Sequence, residues 1–123
     1  MQYAILCYDS EEVVCAWNKE QDQAAVAALG TVTKKWAADK RLGAVGRLMP
    51  TTTATTVRKG KEPIVMDGPF AETKEQLLGF FIIDCETLEQ AIAAAKELAQ
   101  ASTSSPGMFE VRPLKMFQAR RQT

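Results

Sequence analysis

Apolar residues fall in short bursts along this chain, and their spacing alternates between a period of two and one near 3.6. Residues 3–8, Tyr-Ala-Ile-Leu-Cys-Tyr, predict a first strand. Residues 9–19 open polar and irregular, although Val13, Val14 and Trp17 call for some packing. Ala25, Leu29, Val32 and Trp36 then recur on one helical face, predicting a helix over about residues 20–40. Acids at its start (Glu20, Asp22) and bases at its end (Lys34, Lys35, Lys40) suit the helix dipole, and Gly43 is the expected C-terminal cap. A second strand is expected over 44–49, closed by Pro50. The β-branched run 53–59 predicts a third, turning at Gly60-Lys61 into a return strand over 62–66 that Pro63 confines to an edge. Residues 77–83 are apolar on both alternating faces and predict a central, buried strand. Thr87-Leu88-Glu89-Gln90 reads as a capping box opening a second helix, with Leu88, Ile92, Ala95 and Ala99 as its inward face. A Ser-rich loop over 101–107 leads to a last strand at 109–114 and a loose basic tail, Arg120-Arg121-Gln122-Thr123.

The order is β-α-β, a β-hairpin, then β-α-β. It predicts a ferredoxin-like α+β fold with the hairpin inserted between its halves, one domain over residues 1–123. Two helices cover one sheet face. The opposite face keeps apolar residues that nothing else in the chain covers, so a homodimer closing sheet against sheet is expected.

Composition narrows the chemistry. Fifteen basic and fifteen acidic side chains cancel, which leaves no overall field to draw nucleic acid or an anionic membrane. No apolar run approaches the roughly 20 residues of a membrane span, and the N-terminal run is too short for a signal peptide. Cys7, Cys15 and Cys85 are an odd set without a CxxC pair, which favours reduced thiols and a cytoplasmic location. The chain has no histidine. That excludes Ser-His-Asp and Cys-His units and argues against a zinc site, so no metal or cofactor is expected.

Between hairpin and central strand lies Asp67-Gly68-Pro69-Phe70-Ala71-Glu72-Thr73-Lys74-Glu75-Gln76, which joins turn residues, ionisable groups and an aromatic. With Thr53-Ala54-Thr55-Thr56-Val57-Arg58 before it, Gly79-Phe80-Phe81 after it and Phe109-Glu110-Val111-Arg112-Pro113 near the end, it resembles the YCII-related superfamily, specifically its DGPF subgroup. The resemblance implies a dimeric α+β barrel and no assigned reaction. A histidine-dependent, dehydrochlorinase-like activity of smaller relatives does not carry over to a chain without histidine. The subgroup's frequent association with extracytoplasmic-function sigma factors implies a regulatory partner of that kind.

The candidate site residues follow from these motifs. Asp67 beside Phe70 is the candidate general base of a cofactor-free enzyme; alternatively it bonds backbone N–H groups and holds the turn. Glu72 is a second acid for a polar ligand or an ion pair to Arg58 or Arg112, whereas Lys74 and Glu75 read as solvated charges. Arg58 and Arg112 lie on strands and can grip a carboxylate or phosphate, or bridge to Asp67 or Glu72 across a dimer. Tyr8 and Cys7 face opposite sides of the first strand; Tyr8 is the expected pocket hydroxyl and Cys7 a core residue. Cys85, Trp17 and Trp36 read as structural. Three readings result: a binder of a small anionic or aromatic molecule in the barrel, a cofactor-free enzyme using Asp67, or a non-catalytic regulatory partner.

Overall fold

The computed structural model describes residues 1–118. The basic tail expected at residues 120–123 lies outside the described residues. Strand β1 (Gln2–Asp9) leads through a short helix α1 (Glu11–Val14) into α2 (Lys19–Ala38) and β2 (Leu42–Arg47). A 3-10 turn (Thr51–Thr53) opens the hairpin β3 (Thr55–Arg58) and β4 (Ile64–Asp67). Then come β5 (Gln76–Asp84), α3 (Leu88–Ala101) and β6 (Met108–Pro113).

Four strands form an antiparallel sheet in the order β2-β5-β1-β6, and the hairpin stands apart as a two-stranded sheet. Each helix links two strands separated by a third, which is the split β-α-β arrangement repeated. The expected ferredoxin-like α+β fold is therefore the observed one, with β5 in the interior of the sheet. Tyr3 and Ile5 on β1 and Phe81 and Ile83 on β5 point to the helices and meet Val32, Trp36 and Leu98. Trp36 packs edge-on against Phe81, with ring centroids 6.3 Å apart and planes at 83°. Fully burying Ile5, Ile83 or Leu98 stabilises the fold by about 1.5–3 kcal/mol each.

Local chemistry corrects five expectations. Helix α2 begins at Asn18, whose side chain accepts from the Gln21 N–H while the Gln21 side chain accepts from the Asn18 N–H. It ends at Asp39 with Lys40 at φ 58, so the left-handed turn falls before Gly43, which lies inside β2. Thr87 does cap α3 by accepting from Gln90 N–H, but the Gln90 side chain reaches back to the N–H of Glu86 rather than of Thr87. The buried face of α3 is Ala91, Ala94, Ala95 and Leu98; Leu88 and Ile92 are exposed, because the helix is rotated about one position from the expected stripe. Finally, the hairpin ladder stops at Arg58 opposite Ile64, which leaves a five-residue loop over 59–63 in place of a two-residue turn. Pro63 has no N–H to donate, so the ladder cannot continue through it.

Candidate functional site

The sequence placed chemistry in the connector after β4, and the structure spreads those residues out. Asp67 ends β4, exposed, opposite Thr55. Arg58 sits three rungs away at the far end of that ladder, about 10 Å along the strand. Phe70 is 87% exposed, so it provides no apolar shelter for Asp67. Gly68 takes φ +90, a left-handed conformation that suits glycine; its N–H donates to Ala54 O and its carbonyl accepts from Thr56 Oγ1. Thr73 Oγ1 donates to Glu75 O and Gln76 Nε2 to Thr73 O. These bonds describe a corner that ties the hairpin to β5. Glu72 lines a cavity of about 240 Å³ there with Thr51, Pro69, Thr73 and Gln76; Asp67 and Phe70 stand outside it.

Tyr8 and Arg112 belong to the helix-free face of the four-stranded sheet, by alternation from the buried Tyr3 and Ile5 and the partly buried Val111. Arg112 is opposite Ala4 and Tyr8 opposite Met108, four rungs apart. Within one chain the six residues therefore occupy three separate places: the hairpin, its corner and the open sheet face.

A different group converges under the helices. Asp9, the last residue of β1, is 5% exposed and is the one buried charged side chain among the described residues. Its Oδ1 accepts from the Ser10 N–H at 2.8 Å and its Oδ2 from Ser105 Oγ at 2.5 Å. The loop before β6 can come this close because residue 107 is glycine. A Cβ there would lie 2.6 Å from the Asp9 carboxyl carbon. Asp9 borders two cavities. One, about 250 Å³, lies between α2, the segment after α1 and the sheet; Trp17, Leu29, Val45, Leu78 and Phe81 give it apolar walls. The other, about 490 Å³, is a groove between α3 and β6 lined by Ile92, Lys96, Ala99 and Met108.

Cys7 borders both cavities as well, so it, and not Tyr8, is the β1 side chain that faces the helix-side space. Burial, and then the negative charge of Asp9, push its thiol up to about 11. At neutral pH it is a neutral SH group and a poor nucleophile. Cys85 is buried in the core, and burial raises its thiol as well, against the pull of Arg41. Trp17, read as a structural residue, is half-buried at the cleft, while Trp36 is fully buried with Nε1 lacking a hydrogen-bond partner.

Two sets of contacts tie together the elements around the cleft. Arg47, at the end of β2, donates from Nη1 to Asp22 Oδ2 at 3.1 Å and from Nη2 to Oδ1 at 2.5 Å, clamping β2 to α2. That hydrogen bonding holds the Asp22 carboxyl below its usual range. Glu11 accepts from the N–H and Oγ1 of Thr51, and its own N–H donates to Gln76 Oε1. One α1 residue thus anchors both elements, the base of the hairpin through its carboxylate and the start of β5 through its backbone N–H. Among the described residues no group of three or more His, Cys, Asp or Glu could hold a metal ion. Nor is any described helix long and apolar enough to cross a membrane.

Asp9, Glu11 and Arg47 were missed by the sequence reading. Asp9 follows Tyr8 at the end of an apolar strand, and a charge ending a strand is ordinarily solvated. Its burial depends on Ser105 and Gly107, 96 and 98 residues away in the chain, which no local pattern connects.

The architecture is that of a ferredoxin-like α+β domain with a helix-side cleft and an inserted hairpin. Residues 1–118 match the model of the YCII-related domain, and the chain belongs to that family. An uncharacterized protein of Rhizobium meliloti (strain 1021) is 51% identical over 118 residues, covering 95% of this chain and 94% of that protein.

Proposed function

We propose that the protein binds a small molecule in the cleft between α2 and the sheet, with Asp9 as the carboxylate that receives a hydrogen bond or proton from it. One observation carries this reading: a carboxylate removed from bulk water borders a cavity with apolar walls, held by a single serine and a backbone N–H. A buried charge is costly unless it is hydrogen-bonded, and such a group beside a pocket is a recurrent feature of ligand sites. The cleft would take a ligand of about one ring, since 250 Å³ is below the roughly 300–1,000 Å³ of sites for larger ligands. Asp9 thereby takes the role that the sequence suggested for Asp67.

The motif Asp67-Gly68-Pro69-Phe70 supports assigning the chain to the DGPF subgroup, with the corner serving to fix the hairpin. We further propose a cytoplasmic homodimer. The half-buried Leu6, Phe80 and Ile82 on the helix-free face, and the exposed Val57, Ile64, Val65 and Met66 on the hairpin, support it. Three free thiols fit a reducing compartment.

The test is a fragment screen followed by backbone amide NMR on the wild type, Asp9→Asn and Asp67→Asn. Hits should shift Cys7, Gly79 and Ser105, weaken at least tenfold in Asp9→Asn and bind Asp67→Asn unchanged. Hits confined to residues 70–76, and lost in Asp67→Asn, would return the site to the corner.

A further inference from the structure

Arg47 occupies a position that its ion pair with Asp22 does not account for. It lines the 250 Å³ cleft, and also an adjoining cavity of about 500 Å³ that contains Glu11, Trp17, Asp22 and Pro50, so its side chain stands where the two meet. Asp22 lines only the second cavity. A guanidinium carries five N–H donors, and Asp22 engages Nη1 and Nη2. The Arg47 side chain is 54% exposed and that of Asp22 37%, so the pair is open to solvent and can be exchanged at low cost.

The charges around the cleft are arranged asymmetrically. Asp9 and Arg47 are its charged side chains, on β1 and β2, which flank β5 on opposite sides. Asp9 is level with Gln76 and Arg47 with Gly79. Two strand spacings across and three residues along separate their Cα atoms by about 14 Å. Both residues border the same helix-side space, so their side chains rise from one sheet face. Allowing about 3 Å for a hydrogen bond at each end, the interval suits one ring, and Trp17, Val45, Leu78 and Phe81 line it with apolar surface. A ligand with two anionic ends would be repelled at Asp9, and a cation would have no partner beside Arg47 except Asp22.

We infer that Arg47 is the specificity-determining residue of this cleft, and that the ligand is a small monocarboxylate whose anionic group displaces Asp22 from the guanidinium while a hydroxyl or amine at its far end donates to Asp9. A carboxylate matches the two-pronged geometry that Asp22 now occupies, so the exchange replaces one bidentate pair with another. The inference rests on the cleft being the binding site.

The experiment measures binding of 4-hydroxybenzoate and its neutral isostere 4-hydroxybenzamide by amide NMR titration, with the wild type, Arg47→Gln and Asp22→Asn. The acid should bind the wild type at least tenfold more tightly than the amide. It should lose that advantage in Arg47→Gln and bind more tightly in Asp22→Asn, where the internal competitor is gone; the amide should be indifferent to both changes. Equal affinity of acid and amide, with shifts still in the cleft, would overturn the role of Arg47 and leave the cleft standing. So would tighter binding of the acid that survives Arg47→Gln, or weaker binding in Asp22→Asn. If neither probe shifts a cleft residue in any variant, the underlying reading of the site fails with it.

Discussion

At the scale of single residues, Asp9 and its neighbours make the sharpest claims. Ser105→Ala removes a hydrogen bond to a buried charge and should cost about 2 kcal/mol, read as a lower urea midpoint with an unchanged slope. Gly107→Ala sets a methyl group against the Asp9 carboxyl and the Tyr8 backbone, and should cost on the order of 1–3 kcal/mol by the same measurement. The thiols should separate by reactivity. At pH 8, iodoacetamide should modify exposed Cys15 well before Cys7, whose thiol is raised to about 11. The raised value also gives a direction to stability: Cys7 favours the fold below its ordinary 9.0, and that contribution drains away as pH climbs through about 11. A Cys7→Ser variant should flatten that alkaline slope. The sequence named Cys7 and Tyr8 as residues on opposite faces, which the alternation of β1 bears out, but a strand pattern does not say which face carries the cleft.

At the scale of elements, strongly periodic segments were legible and their ends were not. The face of Ala25, Leu29, Val32 and Trp36 was readable because large apolar residues recur at 3.6 spacing, and Val32 and Trp36 are indeed buried. The face of α3 was misplaced because alanines fill it on nearly every side, so a small rotation changes little in the pattern. The reciprocal cap joins Asn18, just before the predicted helix, to Gln21 inside it, and no apolar period marks that junction. Asn18→Ala should cost about 1 kcal/mol in thermal or chemical unfolding. The Asp22–Arg47 clamp between α2 and β2 has its own pH signature. Asp22 is depressed below 3.8, so its contribution is present above that value and is lost as pH falls through the lower folded value. The placement of the candidate site residues was less legible than the elements. The connector after β4 is dense in ionisable groups, yet hydrogen bonds at Gly68, Thr73 and Gln76 use it as a corner, while the buried carboxylate comes from a strand end completed by a distant loop.

At the scale of the whole molecule, topology followed from element order, because two β-α-β units with short connections have few ways to pair. The same order leaves one sheet face without helices and a two-stranded hairpin off the sheet, a form that is marginal alone in water. If a homodimer covers these surfaces, Ile82→Arg on the helix-free face should give a folded monomer by light scattering; a dimer of unchanged mass would place the interface elsewhere. The helix-side cleft lies on the other side of the sheet, so such a monomer should keep the cleft. The claim on which everything else turns is that this cleft, with Asp9 at its end, is where the protein meets its ligand. A crystallographic fragment soak tests it most directly. Fragments should lie between α2 and β5 with a donor against Asp9; occupancy only at the corner of residues 70–76, or only on the helix-free face, would contradict that assignment.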